Sequence, residues 1–170
     1  VFLFTTISTT GCNSKRLTKS ESEIRENSTR AFALFDTKTG KKLSFKEVSE
    51  IESKKNTSVF FFGEFHDDVL IHNLKNNFLT LLSERNSNKV AVSMEMFERD
   101  VQPIMDSYLA GKTTYEDFLK KSRPWGKDYP EFYGPLVETA KVNNSSVICA
   151  NIPRKYASVY AKTGMTGINK

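Results

Sequence analysis

Cysteine and histidine are scarce in this 170-residue chain, which holds two of each. Cys12 and Cys149 form no Cys-x-x-Cys pair and no His/Cys cluster, so a structural zinc site has no sequence basis. Gly-x-Gly-x-x-Gly and P-loop patterns are missing, which removes the usual signals of a nucleotide site. There is no internal repeat and no block of Lys or Arg. The net charge is +5, and residues 13–30 hold five basic and three acidic residues, leaving +3 on the rest. So small a charge, spread out, argues against nucleic acid as a partner. No apolar run is long enough to cross a bilayer. The length suffices for one domain with a real core.

Three short apolar runs remain, each ending in polar residues able to do chemistry. They are Val59-Phe-Phe-Phe-Gly-Glu-Phe-His66, Val90-Ala-Val-Ser-Met-Glu95 and Val147-Ile-Cys-Ala-Asn-Ile-Pro-Arg154. The run Val59 to Phe62 reads as a strand buried on both faces. Ligands bind at the carboxyl ends of strands in open α/β sheets, so groups there are candidate site residues. Cys149, inside the third run, reads as a small buried hydrophobe.

The start of the chain reads as an address. Val1-Phe-Leu-Phe-Thr-Thr-Ile7, followed by Thr9-Thr-Gly-Cys12, resembles the tail of a bacterial secretory signal entering a lipobox. Residues 1–11 are then a truncated signal peptide and Cys12 the lipidated first residue. A frayed apolar terminus with a chance cysteine is the alternative. Residues 13–30 are rich in Ser, Lys, Glu, Asn and Thr and read as a disordered tether. Asn13 avoids the Asp that retains lipoproteins in the inner membrane, so the expected location is the outer membrane facing the periplasm.

From residue 31 to 170 the pattern is that of an α/β body. Ala31–Phe35 and Lys41–Phe45 flank Asp36-Thr-Lys-Thr-Gly40, predicting a bulged β-hairpin. Ser44 with Glu47 predicts a capping box opening a helix to about residue 53. Val69, Leu70, Leu74, Phe78, Leu81 and Leu82 predict a helix to about residue 83, capped by Asp67 or Asp68. A second strand is expected over 89–95 and a helix over 99–109 closed by Ala110-Gly111. A helix capped by Thr114 and Asp117 follows, then a break at Arg123-Pro-Trp-Gly126. Next comes a helix over 130–143, irregular at Gly134-Pro135. A third strand over 147–150 and a helix from Pro153 to about residue 162 complete the list. Alternating strands and helices imply a parallel-sheet core with flanking helices, preceded by the hairpin.

Glu64 and Glu95 end two of the expected strands. They can form an acid/base or cation-binding pair if those strands are neighbours, or cap helices. His66 and His72 share one strand–helix connection, and imidazole serves as a metal or haem-iron ligand or as a hydrogen-bonded structural group. Arg154 at a helix start suits carboxylate recognition, or pairs with Glu64 or Glu95 as scaffold. Asn151 can hydrogen-bond across strand ends. Trp125, Tyr129, Phe132 and Tyr133 form an aromatic group suited either to a planar ligand or to core packing.

Four motifs in order carry a family resemblance: Gly63-Glu-Phe-His66; Met94-Glu-Met-Phe97; Arg123-Pro-Trp125 with Asp128-Tyr129 and Tyr133-Gly-Pro-Leu136; and Ala150-Asn-Ile-Pro-Arg154. From about Phe32 to Tyr160 the chain resembles the ChaN-like haem-binding lipoproteins of bacteria. The resemblance implies haem bound near the strand ends and a homodimer with two haems face to face. It also implies a role in haem or iron uptake beside an outer-membrane haem receptor. His66, His72, Tyr129 and Tyr133 would be the candidate iron ligands, with Glu64, Glu95 and Arg154 shaping the pocket. The wider superfamily includes erythromycin-esterase-like and Tiki-type proteins. That likeness implies the rival reading, a metal-dependent or acid/base hydrolase using Glu64, His66 and Glu95. Relatives continue past residue 170, so the chain reads as a fragment, truncated at the C-terminus and poorly stable alone.

Overall fold

The computed structural model describes residues 2–5, 32–54, 59–86, 90–126 and 128–168. Cys12 and the stretch 13–30, read from sequence as a tether, lie outside them. The chain divides into two compact units, Val1–Ser87 and Asn88–Lys170.

In the first unit, β1 (Phe2–Thr5), β2 (Ala33–Asp36) and β3 (Lys42–Leu43) form an antiparallel sheet in that order. Strand β1 occupies part of the stretch read as a leader. The expected hairpin is β2–β3, with Leu34 opposite Leu43 and Phe35 opposite Lys42. Its turn forms because the Asp36 carboxylate accepts the N–H groups of Lys38 at 2.8 Å and Thr39 at 3.3 Å. Gly40 closes it at a φ of 68°, where a side chain is disfavoured. Ser44 and Glu47 exchange bonds as a capping box, Ser44 N–H to Glu47 Oε2 at 2.8 Å and Glu47 N–H to Ser44 Oγ at 3.2 Å. That box opens α1 (Phe45–Lys54).

Helix α2 (Val69–Arg85) starts at Asp68, whose carboxylate accepts from Leu70 and Ile71 N–H. Its Leu70, Leu74 and Phe78 meet Leu34, Leu43, Phe45 and Val48 in one apolar core. Phe78 is central, with ring centroids 5.7 Å from Phe45, 4.6 Å from Phe60 and 6.2 Å from Phe62. Burying such a ring stabilises by about 1.5–3 kcal/mol.

The run Val59 to Phe62 corrects the sequence reading. It belongs to no sheet among the described residues, and it is not buried on both faces. Its burial alternates with the period of extended chain. Phe60 and Phe62 lean on the core, while Val59, Phe61 and Phe65 are 64%, 90% and 73% exposed.

In the second unit, β4 (Ala91–Glu98) and β5 (Ser146–Asn151) pair in parallel, with Val92 opposite Val147 and Met94 opposite Cys149. The crossover between them carries a 3-10 turn (Arg99–Val101), α3 (Gln102–Leu109), α4 (Tyr115–Ser122), α5 (Tyr129–Phe132) and α6 (Gly134–Val142). Helix α4 has the expected cap, Asp117 N–H to Thr114 Oγ1 at 3.2 Å. The helix expected over 130–143 is broken at Tyr133, next to Gly134-Pro135. Beyond β5 lie α7 (Arg154–Thr163) and α8 (Met165–Ile168).

Buried residues of β4 and β5, with Phe97, Met105, Phe118, Tyr129, Val137 and Cys149, make the core of this unit. Cys149 is fully buried as expected, and burial pushes its thiol up to about 11. Gln102 fastens an edge of β5. Its Nε2 donates to the Val147 carbonyl and its Oε1 accepts from the Cys149 N–H, both at 2.8 Å. Strand β4 runs three residues past the expected end, so Glu95 lies within the strand on its exposed face, and Glu98 takes the terminal position.

Candidate functional site

In the first unit Glu64 is the hub of a polar cluster. The extended segment 59–65 turns its even positions inward, which aims Glu64 at α2. Helix α2 presents His72 and Lys75 on one face, three residues apart. Glu64 Oε1 lies 2.9 Å from His66 Nδ1, Glu64 Oε2 accepts from Lys75 Nζ, and His72 Nδ1 is 4.0 Å away. His72 Nε2 meets the His66 carbonyl at 2.9 Å. Burial draws the Lys75 ammonium down to about 8, while the Glu64 carboxylate beside it favours the charged form.

Exposure separates the two histidines. The His72 side chain is buried at 2%, whereas that of His66 is 66% exposed. A carboxylate accepting at Nδ1 selects the tautomer whose lone pair is on Nε2, the nitrogen a metal takes up. Val59, Phe61 and Phe65 form an exposed apolar row on the same short segment.

In the second unit an open cleft of about 560 Å³ lies at the carboxyl ends of β4 and β5. Glu98, Trp125, Asn151, Ile152 and Arg154 contribute to its lining. Glu98, 4% exposed, accepts from the Arg154 N–H at 3.1 Å and from its Nε–H. Arg123 Nη2 lies 3.6 Å from Glu98 and donates to both Asp100 oxygens at 2.9 Å. Burial works to raise the Glu98 carboxyl. The N–H and guanidinium of Arg154 and the charge of Arg123 outweigh it and hold the group below its ordinary value.

The expected site residues therefore divide. Glu64, His66 and His72 come together in the first unit. Arg154, Asn151 and Trp125 meet at the cleft in the second. Arg154 pairs with Glu98 rather than with Glu95. Tyr129 and Tyr133 are 1% and 6% exposed. Tyr129 packs edge-on against Phe97, with centroids 5.6 Å apart. Burial raises both phenols, with Glu95 adding to the effect at Tyr133, and so favours the neutral hydroxyl over a phenolate.

Sequence reasoning missed Lys75, Glu98, Asp100 and the pairing role of Arg123. The available signal for Glu98 was Met96-Phe97, which continues the apolar run past Glu95. For Lys75 it was the three-residue spacing from His72. Among the described residues, no group of three His, Cys, Asp or Glu side chains converges as a metal site. No helix among them is long and apolar enough to cross a membrane.

No curated protein and no solved structure matches the chain. A family model described as haem-binding uptake, Tiki superfamily, ChaN matches residues 51–170, a span that takes in the Glu64 cluster and the cleft. The chain belongs to this family, ChaN, a haem-binding uptake family of the Tiki superfamily.

Proposed function

We propose that this protein is a haem-binding lipoprotein of the bacterial cell envelope that takes part in haem and iron uptake, with His66 as the iron ligand. The carrying observation is an exposed imidazole backed by a carboxylate and set among exposed aromatic side chains. These residues fit the group. The imidazole supplies the donor, Glu64 orients it, and Phe61 and Phe65 supply apolar surface for a porphyrin face. Haem brings the iron. Lys75 neutralises the carboxylate from the inner side. His72 fixes the turn through the His66 carbonyl, and Tyr129 and Tyr133 serve the core.

Cys12 is the lipidated residue in this reading, and 13–30 the tether that holds the body at the outer membrane facing the periplasm. A homodimer and an outer-membrane haem receptor complete the pathway. The rival hydrolase, with Glu64, His66 and Glu95 as acid, base or metal partners, has less support. Glu64 is already engaged by a lysine and a histidine, which suits an orienting carboxylate better than a general base.

A hemin titration of the whole mature protein, followed by absorbance, tests the proposal. The expected result is a saturable Soret change near one equivalent per chain, lost or shifted in His66→Ala and retained in Tyr133→Phe. An unsaturable response in the folded protein overturns haem binding. A change abolished by Tyr133→Phe and untouched by His66→Ala overturns the ligand.

A further inference from the structure

We propose that the cleft at the ends of β4 and β5 is a binding subsite for the carboxylate of a planar aromatic ligand, with Arg154 as the carboxylate receptor and Trp125 as the stacking wall. Arg154 is anchored at one edge of its side chain. Its N–H and Nε both go to Glu98, a buried carboxylate. Among the described residues its Nη groups have no hydrogen-bond partner, and the side chain is 63% exposed on the cleft wall. Glu98 thus fixes one edge of the guanidinium and leaves the two-pronged edge, whose geometry matches a carboxylate, unengaged on an exposed side chain that lines the cleft. The ordering cost of an arginine that binds from solution is already met by the fold.

Charge favours an anion there. Asp100 is taken by Arg123, and Glu98 is shared between Arg123 and Arg154. Lys155, which acts electrostatically on Asp100, adds a further positive charge. The remaining lining suits a flat apolar body. Trp125 is 39% exposed and Ile152 54% exposed, an indole face and an aliphatic flank, with the Asn151 amide at the strand end. A cleft of about 560 Å³ is of the size that holds small ligands.

Two sources present the same chemistry, the propionates of a porphyrin and a separate aromatic carboxylate. The probes are iron-free protoporphyrin IX, its dimethyl ester and 2-naphthoate. None depends on iron ligation, so the outcome is independent of His66. Trp125 is the only tryptophan of the chain, so its fluorescence reports on the cleft.

The expected result is saturable quenching by protoporphyrin, weakened about tenfold or more by Arg154→Gln and by esterification. Naphthoate quenching that depends on Arg154, with protoporphyrin indifferent to it, supports the subsite with a separate carboxylate as its ligand. Binding of neither probe, or binding that ignores Arg154, overturns the proposal. If Arg154→Gln fails to fold, Arg154→Lys carries the test, because it keeps a cation beside Glu98 and removes the fork. Hemin binding, together with protoporphyrin and naphthoate binding that both ignore Arg154, sinks this inference alone. Arg154-dependent naphthoate binding without hemin binding sinks the haem reading alone.

Discussion

Glu98 accepts from both the main-chain N–H and the guanidinium Nε–H of Arg154, tying the end of β4 to the first residue of α7. The link spans 56 positions of sequence and sits at the ends of the two parallel strands. Its strength depends on Glu98 being charged. The folded-state value is held below the ordinary 4.5, so the stabilisation is fully present above that value and is lost as pH falls through the depressed one. Acid unfolding of wild type should therefore show a loss below about pH 4.5 that Glu98→Gln lacks. At neutral pH Glu98→Gln should cost about 1–2 kcal/mol, the Arg154 side chain being largely exposed. Parallel acid-unfolding curves for the two proteins would contradict this.

Lys75 gives a slope of the same sign in a higher pH window. Its folded value of about 8 lies below the ordinary 10.5, so between the two the unfolded chain holds a proton that the folded chain has released. Stability from this residue rises with pH across that window. The melting temperature of wild type should gain on that of Lys75→Met between about pH 8 and 10. A flat difference would show that the Glu64 carboxylate keeps Lys75 at its ordinary value.

The two rows of the segment 59–65 should respond differently to substitution. Phe78→Ala removes the ring that the inner row packs on and should cost about 3–5 kcal/mol in chemical unfolding. Phe61→Ser, at a residue 90% exposed, should change stability by no more than about 0.5 kcal/mol. The same substitution should weaken hemin binding roughly tenfold or more, the worth of covering an aromatic face. Unchanged hemin affinity in Phe61→Ser would remove the aromatic row from the site.

Gln102 is expected to protect β5. Gln102→Ala leaves a backbone carbonyl and a backbone N–H without their partner, at about 1 kcal/mol or more each. Amide exchange at Cys149 should accelerate before exchange at Met94, its neighbour across the ladder. Equal acceleration at both would indicate a general loss of the unit instead.

Local signals were the most legible from sequence. The Asp36–Gly40 turn, the Ser44/Glu47 box and the caps at Asp68 and Thr114 each depend on residues within a few positions of one another. The parallel pairing followed from the order of elements. The run Val59 to Phe62 was misread because a segment in which every residue is apolar carries no alternation from which to choose the inner face. The site was half legible. Glu64, His66 and His72 lie within nine positions, and their meeting follows from one turn and one helix. Glu98 with Arg154 did not show in the sequence, because a strand end set at Glu95 put the wrong carboxylate opposite the arginine.

The central claim is that His66 binds iron, and imidazole rescue tests it most directly. His66→Gly in the whole mature protein should lose the wild-type Soret band with hemin. Adding imidazole should restore it, the free base filling the space left beside Glu64. A His66→Gly protein that binds hemin with the wild-type spectrum, and does not respond to imidazole, would contradict the account.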